Sequence, residues 1–247
     1  MRRERADILL VKQGLADSVD QARLLIMAGR VRVGTSVLVK PATLFSEATR
    51  LELLQEKRFV SRGGDKLEAA LKHFDLSVDG LRCLDIGAST GGFTDCLLQK
   101  GALSVLAIDV GRGQLHQKLA RDKRVTLLER TNARDLSELP PIDFFTVDVS
   151  FISLRTILPV IAQYTVCRTP GIVLLKPQFE AKRSDVPRGG VIVNENIRAM
   201  VHKDFLKWLL FKDWILFDSL DSPVLGARGN REILISLATP SRGAVLC

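Results

Sequence analysis

The sequence predicts an α/β protein in which a doubly wound, mainly parallel sheet follows a small α+β unit. Beyond residue 65, short apolar runs alternate repeatedly with helical spans, which is typical of a parallel sheet with helices on both faces. Two helical segments and one apolar alternation within the first 60 residues predict the small unit. The length of 247 residues suits two such domains. We place them at residues 1–60 and 61–247, with a linker at 57–64.

The small unit begins with an amphipathic segment that ends at Gly14. Ser18 is expected to cap a second helix over Val19–Ala28, because a serine hydroxyl accepts a hydrogen bond from the free amides of a first helical turn. Gly29 is expected to end that helix. Between Val31 and Val39, valines alternate with polar residues, which predicts a short hairpin.

In the large unit, the pair Gly63–Gly64 is expected to break regular structure before a helix over Asp65–Phe74. Four short apolar runs are expected to be parallel strands. These runs are Cys83–Ile86, Ser104–Val110, Phe144–Val147 and Gly171–Leu175. The runs Ile215–Asp218 and Glu232–Leu237 are expected to form a terminal antiparallel pair on the same sheet.

The charge of the chain is unevenly distributed. There are 36 Lys and Arg residues against 28 Asp and Glu, and residues 1–60 hold 11 of the former and 7 of the latter. A quarter of the chain therefore carries half of the net charge of +8. This pattern favours a polyanionic partner, nucleic acid first and an anionic membrane second. A basic surface that only aids solubility is the alternative interpretation.

Several classes of protein are disfavoured by composition. With 46% hydrophobic residues the chain has material for a packed core, which argues against disorder. The apolar run Ile8–Val11 is too short for a signal-peptide core, and no run approaches the ~18 residues of a membrane helix. The four cysteines show no Cys-x-x-Cys spacing, so we expect no metal site, no disulfide framework and reduced thiols. We accordingly expect a cytoplasmic protein without stable membrane association.

A glycine-rich segment after the first strand of the large unit is the candidate cofactor site. Gly87, Gly91 and Gly92 let the backbone approach a ligand closely, and the free amides of the following helix attract a carboxylate or phosphate. Their spacing differs from the Gly-x-Gly-x-x-Gly of dinucleotide-binding loops. Since Asp85 stands just before the first glycine, the segment better suits S-adenosylmethionine.

Asp109 ends the next predicted strand, where a carboxylate can accept hydrogen bonds from a ribose diol. Together with the loop it indicates a nucleoside ligand, although a plain tight turn is the alternative for the loop and a solvated strand end for Asp109. The candidate cofactor contacts are Asp85, Gly87, Ala88, Ser89, Gly91, Gly92, Phe93 and Asp109.

Four charged residues stand at junctions of predicted elements. Lys66 begins the first helix of the large unit, and Glu232 opens its last strand. Asp148 and Lys176 each follow an apolar strand directly. Each residue alone would be interpreted as a solvated helix or strand end. All four at such junctions indicate a catalytic site, because this fold binds its ligands beside strand ends.

Six segments of the chain resemble a known family. They are Val60–Leu67, Asp85–Asp95, Glu129–Arg134, Asp148–Ser153, Leu175–Glu180 and Gly226–Glu232. In these segments the chain is similar to the TlyA family, also called haemolysin-A-like, of ribosomal RNA 2′-O-ribose methyltransferases. Members join an S4-type RNA-binding domain to an FtsJ-like catalytic domain, and the resemblance spans nearly the whole chain.

The resemblance implies a Rossmann-like, S-adenosylmethionine-dependent methyltransferase domain preceded by an S4-like RNA-binding domain. The Lys-Asp-Lys-Glu tetrad of 2′-O-methyltransferases would fall on Lys66, Asp148, Lys176 and Glu232. Asn132 and Ala133, in the third segment, are added to the cofactor contacts. Lys176 is the candidate base, but a neighbouring lysine would favour its neutral form and a neighbouring carboxylate its charged form. The sequence therefore leaves its resting protonation state open, as it does the oligomeric state.

Ribosomal RNA or ribosomal subunits are the partners that the resemblance implies. Lysine and arginine side chains suit contacts with phosphates, and aromatic residues are only 6% of the chain, so folded RNA is favoured over stacked single strands. The candidate RNA contacts are Arg2, Arg3, Arg5, Lys12, Arg23, Arg30, Arg32 and Arg62. Three alternatives are retained: a non-enzymatic RNA-binding or ribosome-assembly module, a membrane-active haemolysin and a small-molecule methyltransferase.

Overall fold

The computed structural model describes residues 3–54, 58–136, 138–226 and 228–241. Arg2, one of the candidate RNA contacts, lies outside these residues. The chain divides into two compact units, residues 1–57 and 58–247. We call them the small unit and the large unit and describe each by itself.

The small unit contains two helices and five short strands among its described residues. They are β1 (Arg3–Arg5), α1 (Ala6–Lys12), α2 (Val19–Met27), β2 (Val31–Val33), β3 (Ser36–Leu38), β4 (Leu44–Ser46) and β5 (Glu52–Leu53). The Ser18 hydroxyl accepts a hydrogen bond from the Gln21 amide, which confirms the predicted cap of α2. Gly29, just beyond this helix, has a φ of +67°, a conformation that glycine adopts without strain.

Strands β2 and β3 form the predicted hairpin, with Val31 opposite Leu38. Two further pairings were not predicted: β1 with β4, and β2 with β5. These strands are two or three residues long, too short for an alternating pattern to be visible in sequence. Apolar side chains from both helices and the hairpin form the core of this unit, including Leu10 and Ile26.

The large unit consists of a seven-stranded sheet and its helices. The strands are β6 (Arg82–Ile86), β7 (Ser104–Ile108), β8 (Val125–Leu128), β9 (Phe144–Val147), β10 (Pro170–Leu175), β11 (Ile215–Asp221) and β12 (Ile233–Ala238). The helices are α3 (Arg62–His73), α4 (Gly92–Gln99), α5 (Gln117–Ala120), α6 (Leu154–Tyr164), α7 (Pro177–Glu180) and α8 (Glu195–Phe211). Two short 3₁₀ helices, Ala133–Asp135 and Arg183–Asp185, complete the unit.

The strands lie in the order β11-β12-β10-β9-β6-β7-β8. Strands β10, β9, β6, β7 and β8 are parallel, and β12 is antiparallel to both β10 and β11. The predicted doubly wound sheet and its terminal antiparallel pair are therefore confirmed. Between β6 and β9 the strand order reverses direction, and open α/β sheets bind ligands outside the carboxyl ends of their strands at such a point.

The antiparallel direction of β12 matters for the site. Ile233, the first residue of β12, pairs with Leu175, the last residue of β10. The amino end of β12 therefore lies at the carboxyl edge of the parallel strands. Glu232, which precedes β12, is carried to the same edge as Lys176, which follows β10.

The expectation that Gly63 and Gly64 break regular structure is wrong, since both lie in the first turn of α3. The Ser61 hydroxyl caps this helix by accepting a hydrogen bond from the Gly63 amide. A Cβ on Gly64 would clash with the side chain of Phe59, and one on Gly92 would clash with Ser61. These glycines serve close packing of the starts of α3 and α4 rather than a chain break.

Two of the cysteines, Cys83 and Cys96, are buried free thiols. The expectation of reduced thiols is confirmed for these two residues. Within the described ranges, no helix is long and apolar enough to cross a membrane.

Candidate active site

A cleft of about 600 Å³ opens at the carboxyl edge of the sheet. Its walls come from the start of α3, the loop between β6 and α4, the segments after β9 and β10, and the segment before β12. All four of the candidate catalytic residues line it: Lys66, Asp148, Lys176 and Glu232. The volume falls in the range of small-molecule and cofactor sites.

Lys66 and Glu232 form a buried ion pair. Lys66 Nζ lies 2.5 Å from Glu232 Oε2, and their side chains are 9% and 4% exposed. The two residues are 166 positions apart in sequence and meet because α3 packs beside the amino end of β12. A Cβ on Gly226 would clash with the Glu232 carboxylate, so the glycine leaves the room that this carboxylate occupies.

Lys176 and Asp148 form the second pair, with Lys176 Nζ 2.6 Å from Asp148 Oδ1. Lys176 Nζ also donates a hydrogen bond of 2.8 Å to Ser150 Oγ. Since β9 and β10 are parallel neighbours, the residues that follow them lie side by side. The structure thus arranges the four candidates as two lysine–carboxylate pairs in one cleft.

The glycine-rich loop forms another wall of this cleft. Gly87, Ala88, Ser89, Gly92 and Phe93 all line it. The backbone follows left-handed conformations, with φ of +84° at Gly87 and +49° at Ser89. A Cβ on Gly87 would clash with the carbonyl of Asp148. Only glycine lets this loop lie directly against the segment that carries Asp148.

Gly91 lies at the end of the loop, where α4 begins. It caps α4 with a φ of +95°, and a Cβ there would clash with Leu119. Ala133 is buried in the core of the large unit, and Asn132 caps the first 3₁₀ helix by accepting a hydrogen bond from the Arg134 amide. None of these three is among the described residues that line the cleft.

Asp109 supports the loop with its own carboxylate. Its two oxygens accept hydrogen bonds of 2.7 Å from the backbone amides of Ser89 and Gly111. Each carboxylate oxygen has a second lone pair, so these bonds leave capacity for a hydroxyl donor. The ribose contact of Asp109 stays a prediction, and this residue is not among the described residues that line the cleft. In the structure its carboxylate holds the loop that contains Ser89.

Asp85 lies beneath the loop and is fully buried. Its carboxylate accepts hydrogen bonds from the hydroxyls of Thr94 at 2.6 Å and Thr146 at 2.9 Å. Burial raises the pKa of Asp85 to about 6, although both hydroxyls act in the opposite direction. It is not among the residues that line the cleft, so its contacts tie β6 to α4 and β9.

The raised pKa of Asp85 makes stability depend on pH. An unfolded aspartate has a pKa of about 3.9, so between about pH 4 and pH 6 the folded state binds the additional proton and the wild type loses stability as pH rises. Relative to the wild type, Asp85→Asn should therefore gain roughly 3 kcal/mol of unfolding free energy between pH 4 and pH 7. Urea unfolding across this range measures the difference. Exposed Asp204, changed to Asn, serves as the control, and parallel curves for Asp85→Asn and the wild type would contradict the prediction.

Several cleft residues were missed by sequence reasoning. They are Ser61, Gly63, Thr90, Ser150, Phe151, Gln178, Phe179, Val186, Gly190, Arg228 and Asn230. All of them except Val186 and Gly190 lie within the segments that carry the resemblance, which was the available signal. Phe151 is 87% exposed, has a φ of +65°, and its ring centroid lies 5.1 Å from that of Phe179. An exposed aromatic ring in a strained backbone conformation is a feature of binding sites.

Most of the candidate RNA contacts in the small unit are engaged with protein groups. Arg5 and Arg23 both bind the buried carboxylate of Asp7, at 2.7 and 3.1 Å. The Arg5 guanidinium lowers the pKa of Asp7 by hydrogen bonding to it. Lys12 pairs with Glu4 at 2.6 Å. These contacts fix the directions of the cations and reduce the net charge that they present.

Arg30 and Arg32 lie on the strand side of the small unit. Arg30 donates to the carbonyl of Leu54, and Arg32 pairs with Glu52 at 2.6 Å. Arg3 and Arg32 are exposed. Arg62, the remaining candidate, belongs to the large unit and lines the cleft.

Two families match this chain. The FtsJ-like methyltransferase family matches residues 59–239, and the S4 domain matches residues 4–48. A 16S/23S rRNA (cytidine-2′-O)-methyltransferase, TlyA of Mycobacterium tuberculosis, is 43% identical over 99% of this chain and 93% of its own length. Hemolysin A of Brachyspira hyodysenteriae is 39% identical over 93% of this chain and 98% of its own length. A solved structure described as "Putative hemolysin from Streptococcus thermophilus" is 40% identical, covers 97% of this chain and 90% of that chain, and has a TM-score of 0.73.

Proposed function

Because this chain belongs to the FtsJ-like methyltransferase family and carries an S4 domain, we propose that it transfers a methyl group from S-adenosylmethionine to a ribose 2′-hydroxyl of ribosomal RNA. The observation that carries the proposal is the cleft that holds the pairs Lys66–Glu232 and Lys176–Asp148. The name of the Mycobacterium tuberculosis relative, a cytidine-2′-O-methyltransferase of 16S and 23S rRNA, supports ribosomal RNA as the acceptor.

The loop between β6 and α4 fits the cofactor. The loop lines the cleft, and Gly87 and Gly92 let it pack closely against neighbouring segments, where a Cβ would clash. The first amides of α4 can donate to the carboxylate of the amino-acid portion. Asp109, whose oxygens keep lone pairs beyond those used by Ser89 and Gly111, is proposed to accept hydrogen bonds from the ribose diol. S-adenosylmethionine supplies an electrophilic methyl group on its sulfonium sulfur.

The nucleophile must lose a proton as the new C–O bond forms. We assign the proton acceptor to the neutral amine form of Lys176 Nζ, which lies 2.6 Å from Asp148 Oδ1 and 2.8 Å from Ser150 Oγ. Its lone pair takes the ribose proton, and Asp148 stabilises the ammonium that forms. Such positioning of a general base contributes about 10²–10⁴-fold to a rate. Lys66 and Glu232 form the other pair of the cleft, and we assign the ammonium of Lys66 the role of stabilising negative charge that develops on the ribose oxygen.

The surroundings of the cleft support an RNA substrate. Arg62 and Arg228 line it and are exposed. Arg188 is exposed between two residues that also line it, Val186 and Gly190. These cations suit phosphates on either side of a target nucleotide. The exposed ring of Phe151 offers a surface on which an unstacked base can lie.

Incubation of the purified protein with methyl-labelled S-adenosylmethionine and either ribosomal subunits or free ribosomal RNA tests the proposal. We expect label on a ribose 2′-oxygen, located by mapping of the modified nucleotide. Label on a base, or no label on any ribosomal RNA, would contradict the proposal. The second outcome, together with retained RNA binding, would instead support an assembly module. Membrane damage, which the name hemolysin A suggests for a relative, would leave both lysine–carboxylate pairs without a role.

We propose that the small unit binds RNA and that the large unit carries out catalysis. RNA affinity should therefore depend on the cations of the small unit. Replacing the exposed residues Arg3 and Arg32 with Gln should weaken RNA binding and reduce the slope of log K against log salt by about 1 per lost phosphate contact. S-adenosylmethionine affinity should stay unchanged. Lys123→Gln is the matched control, since this exposed lysine lies just before β8, at the opposite edge of the sheet from the cleft. Equal losses of RNA and cofactor affinity would contradict the division of roles.

A further inference from the structure

We propose that Glu180 is a positioning residue that holds the two catalytic loops of the cleft together, a proposal that rests on the methyl-transfer function above. The first loop, residues 148–153, follows β9 and carries Asp148. The second, residues 176–180, follows β10 and carries Lys176. The ion pair of 2.6 Å between them therefore depends on how the two loops are placed relative to each other.

Glu180 joins the end of the second loop to the end of the first. Its Oε1 accepts a hydrogen bond of 2.6 Å from the Leu154 amide, the first of α6. Its Oε2 accepts one of 2.7 Å from the Ser153 hydroxyl. A carboxylate at a helix N-terminus satisfies free amides and interacts favourably with the helix dipole. Ser153 is the N-cap of α6, since its hydroxyl accepts a hydrogen bond from the Arg155 amide. Glu180, from the loop that carries the proposed base, completes this cap by binding the Leu154 amide and the Ser153 hydroxyl.

The Glu180 carboxylate is remote from the reacting atoms. Its side chain is 2% exposed, and it is not among the described residues that line the cleft. Arg155 Nε lies 3.6 Å from Oε2, and the Arg155 guanidinium also lies over the rings of Phe205 and Trp208. These contacts anchor Glu180 to α6 and α8, so it acts through the loops rather than on a substrate.

Between this anchor and the ion pair, two further contacts bridge the same loops. Lys176 Nζ donates to Ser150 Oγ, and the ring of Phe151 packs against that of Phe179. Phe151 is held at a φ of +65°, a conformation that costs free energy in a residue with a side chain and persists only where surrounding contacts impose it. The hydrogen bonds of Glu180 go to residues two and three positions beyond Phe151 and supply such a constraint. Releasing them should let Phe151 relax and shift Lys176 relative to Asp148.

A purely stabilising role is the competing explanation, and a matched control distinguishes the two. The carboxylate of Asp143 also accepts a hydrogen bond from a backbone amide, in this case that of Arg82, and it binds the Arg82 guanidinium as well. It precedes β9 and so lies at the amino edge of the sheet, opposite the cleft. Asp143→Ala therefore removes comparable hydrogen bonds without touching the catalytic loops.

The experiment compares Glu180→Ala, Glu180→Gln and Asp143→Ala in the full chain. Because a displacement of about 1 Å can cost roughly 10²-fold, we expect kcat of Glu180→Ala to fall about 100-fold, with the Kd of S-adenosylmethionine changed less than about twofold. Glu180→Gln keeps an oxygen that accepts from the Leu154 amide. The Ser153 hydroxyl can turn to accept a hydrogen bond from the side-chain amide of the new glutamine, so most of the loss of kcat should be rescued. Asp143→Ala should keep kcat within about twofold of the wild type.

Hydrogen exchange provides a readout that needs no substrate. Backbone amides of residues 150–155 should exchange at least about tenfold faster in Glu180→Ala than in the wild type, and should be unchanged in Asp143→Ala. The proposal is overturned if Glu180→Ala retains kcat, if Asp143→Ala loses as much, or if exchange at 150–155 is unchanged. If the wild type itself transfers no methyl group, the proposed function fails, and the exchange data alone decide whether Glu180 holds the loops.

Discussion

Lys176→Ala should lower methyl transfer to ribosomal RNA by about 10³-fold or more while S-adenosylmethionine still binds. The substitution removes the amine that lies 2.6 Å from Asp148 and 2.8 Å from Ser150. Without it, no positioned group of the cleft takes the ribose proton, and Asp148 loses the partner that becomes an ammonium. The glycine-rich loop is built from other residues, so the cofactor wall of the cleft persists.

Single-turnover transfer of labelled methyl groups measures the rate, and calorimetric titration measures cofactor affinity. Lys100→Ala is the matched control: Lys100 also pairs with a carboxylate, Glu68 at 2.8 Å, but lies outside the cleft. Its rate should match that of the wild type. Near-normal turnover of Lys176→Ala would overturn the assignment of the base, and a parallel loss of cofactor binding would show that the lysine shapes the cofactor site instead.

Breaking the Lys66–Glu232 pair should be the largest stability effect of any single substitution in the cleft. Both side chains are almost fully buried and lie 2.5 Å apart. Glu232→Met leaves the ammonium of Lys66 buried without its counter-charge, which typically costs about 3–5 kcal/mol. Lys66→Met leaves the carboxylate of Glu232 buried without its counter-charge, and we expect a loss of stability of similar size. Replacing both residues with Met removes the unpaired charge, so the double variant should recover most of the lost stability.

Urea unfolding of the two single variants and the double variant completes this cycle. Arg32 and Glu52, an exposed pair at 2.6 Å, provide the comparison, with an expected coupling below about 1 kcal/mol. We also expect all three Lys66 and Glu232 variants to lose methyl transfer, because a stable double variant still lacks the charges of the cleft. Additive losses in the double variant would mean that the two residues do not stabilise each other.

The family and the fold class were accessible from sequence because their signals are local. Apolar runs bounded by turn residues indicated β6, β7, β9 and β10, and the matches to the FtsJ-like family and S4 domain confirm the resemblance. Strand ends differ from the expected bounds by one to three residues; β7, for example, ends at Ile108 rather than Val110, and β11 ends at Asp221 rather than Asp218. The three-residue strands β1 and β4 were missed because they exist only through pairing with each other.

Sequence interpretation was less accurate where a residue type has two opposite uses. Gly63 and Gly64 were expected to interrupt structure, but they begin α3 because close packing against Phe59 and α4 leaves no room for a side chain. Asp85 was expected to contact the cofactor, but it lies in the core between two threonine hydroxyls. In both cases the decisive neighbours come from distant parts of the chain.

By itself, the sequence determined the α/β class, six of the seven strands of the large sheet, with β8 missed, and the presence of four charged residues at element ends. Those properties depend on hydrophobic periodicity and on residue types that are read within a few positions. Only the tertiary structure decided that Lys66 pairs with Glu232, that Lys176 pairs with Asp148, and that Glu180 caps the helix behind them. The physical reason is that partners at hydrogen-bond distance are selected by strand order and direction. The reversal at β6 and β9 and the antiparallel course of β12 bring together residues separated by up to 166 positions.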